Sequence, residues 1–187
     1  FLAACTSVLC VILICLFLFS SGIPAIGKIG LKDFLSGTEW NPGDIPPSYG
    51  ILPMILGSFF VTAGAIVIGA PVGVLTAVYL AKFCPERILK WLKPAIDLLA
   101  GIPSVVYGFF GVIALVPAIR NFLGGNGYSI LTASILLGIM ILPTVINVST
   151  EAINAVPESY YQGSIALGAS HERSVFFAVL PAAKSGI

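Results

Sequence analysis

The chain has 187 residues, of which 58% are hydrophobic and 9% charged, and its mean hydropathy is +1.05. Soluble domains carry roughly 25% charged residues, so the composition excludes an ordinary soluble domain and specifies an integral membrane protein. A formal net charge of +1 says nothing in favour of nucleic acid, and none is expected as a partner; the expected surroundings are a lipid bilayer.

Residues 1–21 read as a first transmembrane helix, uncharged and long enough to cross the roughly 20-residue thickness of a bilayer. Cys5, Cys10 and Cys15 lie in it but do not share a face at about 100° per residue. No His or carboxylate joins them, so no metal site is expected. Leu2-Ala3-Ala4-Cys5 has the form of a lipoprotein cleavage box, but its apolar stretch follows instead of preceding it. The run also exceeds the apolar length of a signal peptide. Residues 22–50 read as an external loop, rich in Gly and Pro, with Asp33, Glu39 and Asp44 against Lys28 and Lys32. A turn is expected at Glu39-Trp40-Asn41-Pro42, and Trp40 and Tyr49 read as interfacial anchors.

A second span is expected near 51–81, broken early by Pro53 and kinked midway by Pro71. Ala65, Gly69, Gly73, Ala77 and Ala81 recur every fourth residue, a stripe of small side chains that lets another helix approach closely in lipid. Lys82, Arg87, Lys90 and Lys93 then oppose Glu86 alone. This basic cluster belongs on the cytoplasmic side, which puts 22–50 and 121–128 outside and 151–181 inside. A third span is expected near 94–119. Its Gly101, Pro103 and Gly108 loosen the helix, and freed backbone groups at that depth need protein or a water-filled path around them. Gly101, Pro103 and Gly108 join Gly69 and Gly73 as expected helix-packing positions. Ser104 either bonds back to its own helix or lines a path. Asp97, four residues after Lys93, reads as paired or snorkelling near the cytoplasmic end. A fourth span is expected near 130–150, where Asn147, Ser149 and Thr150 either line a path or pack between helices.

Residues 151–181 interrupt the apolar pattern with legible punctuation. Pro157 suits the first turn of a helix, and Gly168 suits the left-handed position after its end. Ser170 suits the N-cap of a second helix, with Glu172 in its first turn, and Pro181 marks the next break. Two short helices at an angle around Gly168 result. A plain interhelical connector could share this composition, but the spacing goes further.

Gln162-Gly163-Ser164, three residues, Gly168, nine residues and Ala178-Val179-Leu180-Pro181 together resemble the EAA loop of ABC importer permeases. Gly168, Leu180 and Pro181 match that pattern; Gln162, Gly163, Ser164 and Ala178 depart from it, so the carboxylate of the first slot is absent. The stretch from Leu99 to Gly111, with Leu137-Gly138-Ile139-Met140-Ile141-Leu142-Pro143-Thr144 and Val156-Pro157-Glu158-Ser159-Tyr160, resembles phosphate importer permeases of the PstC type over residues 52–187. The resemblance implies an all-α type I ABC importer transmembrane domain at 51–187, truncated before its last two helices. It implies a multi-pass subunit in a bacterial or archaeal inner membrane. Its expected partners are a paralogous permease in a heterodimer, two ATPase subunits, and an external phosphate-binding protein. Pro157, Tyr160, Gln162, Gly163, Ser164, Leu167, Gly168 and Pro181 would then form the ATPase-coupling loop. An Arg and a Glu serving phosphate passage would belong to a span after Ile187.

There is no Walker A loop, so no cofactor is expected on this chain and ATP would be held by a partner; the chain reads as a transporter subunit and not an enzyme. No ionisable relay threads the spans, and the lone His171 reads as a solvated helix residue. Alternatives are a permease for another small oxyanion or solute, or a non-ABC channel or structural membrane subunit.

Overall fold

A computed structural model describes all residues, Phe1–Ile187. The chain divides into two units, Phe1–Ser58 and Phe59–Ile187. Four helices are long and apolar enough to cross a membrane.

In the first unit, α1 (Leu2–Ile29) is the first of these helices and buries none of its residues. It continues past the expected end near Ser21 and through Pro24, whose fixed φ is compatible with a helix although one backbone donor is lost. The stretch 22–50 is therefore not simply a loop. After Gly30 comes α2 (Leu31–Ser36), and then a two-stranded antiparallel ribbon, β1 (Trp40–Asn41) with β2 (Ser48–Tyr49). Trp40 lies in a strand and not in a turn, and its ring meets Tyr49 edge to face at 6.0 Å. Gly37 and Gly50 touch through their backbones, a contact with no room for a Cβ on either side. The Leu52 N–H donates to the Gly37 carbonyl and the Ile51 N–H to the Phe34 carbonyl, fastening the end of α2 to the start of the next helix.

That helix, α3 (Leu52–Phe83), ends in a π turn over Tyr79–Phe83. Pro53 does not break it: the residue sits in the first turn, where a missing N–H has no intrahelical partner to lose. In the second unit, α3 packs against α6 (Ile130–Asn154). Ala65, Gly69, Gly73 and Ala77 are all buried. Successive points along α3 meet successive points along α6: Gly64 faces Ser134, Gly69 faces Gly138 and Ile141, and Gly73 faces Val145. The two helices run parallel and finish on the same side. The Ser134 hydroxyl donates to the Val61 carbonyl at 3.2 Å, adding a polar tie between the two helices.

The expected third span is divided. An amphipathic helix, α4 (Glu86–Ala100), stops before Gly101, and the apolar helix α5 (Ser104–Leu123) starts after Pro103. Proline disfavours helical geometry in the residue before it, so Ile102 cannot carry α4 onward. The Tyr107 hydroxyl donates to the Leu99 carbonyl at 2.9 Å and satisfies one acceptor released by the break. Arg120 donates to the Asn126 carbonyl in the turn between α5 and α6, and Ser129 caps α6 by accepting the Thr132 N–H.

The chain closes with α7 (Glu158–Ala166) and α8 (residues 171–183), the latter formed by His171–Ser174, a π turn Val175–Val179 and Leu180–Ala183. Val175, Val179 and Ala183 on α8 enter one buried cluster with Ala77 and Val78 of α3 and Ile153 of α6.

Candidate functional site

The bend between α7 and α8 is set by local chemistry. Pro157 stands just outside α7 as its N-cap, at φ −56° and ψ 133°, one position earlier than expected. Gly168 has φ +86°. Its N–H donates to the Ile165 carbonyl, and the Ala169 N–H donates to the Ser164 carbonyl. These two bonds make a Schellman closure, which requires a left-handed residue where Gly168 stands. Two residues on, the Ser170 hydroxyl accepts the Arg173 N–H and starts α8. Glu172 lies in that first turn. A hydrogen bond from its own backbone N–H, and then one from the Ser170 hydroxyl, hold its carboxyl below the usual carboxylate range.

His171 is not a freely solvated residue. Its Nε2 lies 3.2 Å from the Lys82 carbonyl, at the end of α3. A carbonyl can only accept, so Nε2 carries the proton. In the neutral ring Nδ1 then accepts from the Tyr161 hydroxyl of α7 at 2.9 Å. The ring also packs edge-on against Phe83, with centroids 4.8 Å apart. One imidazole therefore fastens α7, α8 and the end of α3 together. Sequence reasoning missed this, because Lys82 contributes a backbone atom and no side-chain pattern marks it.

The two helices meet the rest of the unit unequally. Along α8 the residues Ser174, Val175 and Val179 are fully enclosed. On α7 nothing is buried, and only Tyr161 and Ser164 are half-covered. Gln162 and Gly163 are exposed, and so are Tyr160, Ile165 and, at 91%, Leu167. Exposed Phe176 and Phe177 line an open recess of about 600 Å³ together with Ser170, Glu172 and Arg173. Pro181 is exposed and follows the π turn, and its ring has no N–H to donate back into it.

The expected path residues are separated. Ser104 is exposed in the first turn of α5, whereas Ser149 is only 2% exposed and packs within the unit. Asn147 donates through Nδ2 to the Asp97 carboxylate at 2.9 Å, so Asp97 is tied to α6 and not to Lys93. The packing set divides as well. A Cβ on Gly69 would lie 2.9 Å from the Gly138 carbonyl oxygen, and one on Gly73 would lie 2.6 Å from a Val145 methyl. Gly101 and Pro103 instead end one helix and begin the next, and no heavy atom lies within 4 Å of a Cβ built on Gly108.

Comparison with known proteins supplies the context. The family model described as binding-protein-dependent transport system inner membrane component matches residues 69–187. The chain is 45% identical to the probable ABC transporter permease protein YqgH of Bacillus subtilis over 152 residues, covering 81% of this chain and 49% of that protein. It is 29% identical over 205 residues to the phosphate transport system permease protein PstC 2 of Mycobacterium tuberculosis, covering 99% of this chain and 63% of that one. The probable phosphate transport system permease protein PstC of Methanocaldococcus jannaschii is 30% identical over 178 residues, with 85% and 56% covered. The chain thus spans about half to three-fifths of the length of these relatives. Among solved structures, the inward-facing MetNI methionine ABC transporter aligns with a TM-score of 0.54 at 21% identity, covering 73% of this chain and 62% of that one.

Proposed function

This multi-pass membrane chain belongs to the binding-protein-dependent transport system inner membrane component family, with the all-α transmembrane fold of type I ABC importers, and we propose that it is the membrane-spanning subunit of an ATP-driven phosphate importer. The observation that carries this reading is the bend at Gly168: one outward helix bearing Tyr160, Ile165 and Leu167, joined by a Schellman turn to a second helix buried against α3 and α6. A separate ATPase would grip α7. Its motion would pass through the His171 bonds and the Val175–Val179 contacts to the ends of two parallel spans, which would rock as rigid bodies to alternate access. ATP would be hydrolysed on the ATPase and not on this chain.

Phosphate is favoured as the solute because relatives named as phosphate permeases align along nearly the whole chain. A paralogous permease and an external phosphate-binding protein would complete the assembly. Affinity purification of the tagged permease from its native membrane should recover an ATPase, and proteoliposomes of that complex should take up labelled phosphate only with ATP inside. Recovery of no ATPase would overturn the importer reading. ATP-driven uptake of a different oxyanion would keep the importer and replace its solute.

A further inference from the structure

Helix α4 presents a surface that the coupling reading does not use and that the fold uses only in part. Only Leu89 and Ile96 on it are half-covered. At about 100° per residue, Asp97 turns toward α6, where its carboxylate accepts from Asn147. Ile88 and Leu99 lie opposite Asp97, and Trp91 and Leu98 on the adjoining flank, with Trp91 82% and Leu98 75% exposed. Arg87 lies between those two sides and Lys90 at the edge of the Asp97 side, and both are exposed. The break at Gly101–Pro103 frees α4 from the direction of the span that follows, and the Tyr107 bond to Leu99 closes that corner.

An aromatic anchor and long aliphatic side chains on one face, flanked by cations, match the pattern of a helix lying in a membrane–water interface. The charge points to the lipid. Lys82, Arg87, Lys90 and Lys93 face only Glu86 and Asp97 along this segment, and Asp97 is already engaged. We propose that α4 lies in the cytoplasmic interface as a binding surface for anionic phospholipid, with Trp91 and Leu98 at acyl depth and Arg87 and Lys90 on the headgroup phosphates. This inference rests on the membrane placement of the chain and not on the identity of the transported solute.

The protein has two tryptophans, so Trp40→Phe leaves Trp91 as the sole indole fluorophore. The purified protein would be reconstituted in phosphatidylcholine vesicles containing a brominated lipid at one fixed mole fraction, either phosphatidylglycerol or phosphatidylcholine. Brominated phosphatidylglycerol should quench Trp91 with at least roughly fivefold higher apparent affinity, the preference worth one headgroup-level cation. Arg87→Gln with Lys90→Gln should bring the two lipids level while quenching by brominated phosphatidylcholine stays at its original value, which also shows that the helix remains in place. Inorganic phosphate added at matched ionic strength should leave the preference intact. Equal quenching by the two lipids in the parent protein would overturn the proposal, as would a preference that survives the double substitution. Competition by free phosphate would assign the cations to a soluble anion instead. Quenching by neither lipid would mean that protein covers the Trp91 face, which also overturns it.

Discussion

Replacing His171 by Ala isolates the joint between the loop and the spans. The substitution removes the bond to the Lys82 carbonyl, the bond from Tyr161, and the ring contact with Phe83. Each neutral hydrogen bond contributes about 0.5–1.5 kcal/mol net, and an aromatic contact of this kind about 0.5–1.5 kcal/mol. The joint is half-exposed, so water takes over part of the bonding and the low end applies, about 1.5 kcal/mol in all. That loss raises the population of undocked loop roughly tenfold. The core beneath, Val175 and Val179 against Ala77, Val78 and Ile153, stays intact, so the protein should reach normal abundance in the membrane. Hydrogen exchange should then quicken in α7 and in the first turn of α8, while amides of the Val175–Val179 turn keep their protection. Tyr161→Phe removes one bond alone and should give roughly a twofold change. In His171→Gln a side-chain amide can still donate toward Lys82, so part of the protection should return. Parent-like exchange throughout α7 in His171→Ala would refute the joint. Acceleration spread evenly over α8 would instead show general loosening.

Gly168→Val should cost about 1–2 kcal/mol through its left-handed backbone alone, since no heavy atom lies within 4 Å of the added Cβ; uptake should fall steeply at parent abundance, Gly168→Ala should be milder, and full uptake in the Val variant would reduce the loop to a connector. Substituting Leu at both Gly69 and Gly73 forces side chains into the closest contact of α3 and α6 and should lower stability by roughly 1–3 kcal/mol; an unchanged melting temperature would mean that the two helices separate without cost. The Ser174 hydroxyl is buried with no hydrogen-bond partner, a state that costs about 1–3 kcal/mol, so Ser174→Ala should hold or raise the melting temperature, and a clear drop would reveal a bond made by that hydroxyl.

What could be read in the sequence is what depends on one residue's own backbone. Gly168 in a left-handed position, Ser170 as a cap and the small stripe on α3 follow from the geometry those residues permit, and the structure has each of these features. Contacts between distant segments follow another logic. Helical spacing sets Asp97 one turn from Lys93, whereas its partner is Asn147, fifty positions away. Residues 94–119 read as one continuous span because Gly and Pro in membrane helices often mark only a kink. Here Pro103 ends the helix, and the polar face of α4 could have warned of it: Glu86, Lys90, Lys93 and Asp97 recur on one side, a pattern foreign to a helix surrounded by hydrocarbon.

The unequal burial of α7 and α8 was the least legible feature, although it bears most on function. Both segments are short and mixed in polarity, and neither has a period strong enough to assign a buried face. The difference arises from what surrounds them. Residues 171–183 run where α3 and α6 finish on the same side, so Val175 and Val179 find Val78 and Ile153 waiting. Helix α7 lies beyond that cluster and reaches back only through Tyr161 and Ser164. Parallel spans therefore create the asymmetry: they bring two helix ends together, one loop helix fills the gap between them, and the other must stand outside it. A helix so placed can be pushed without disturbing its own packing, while its neighbour cannot move without carrying both spans along.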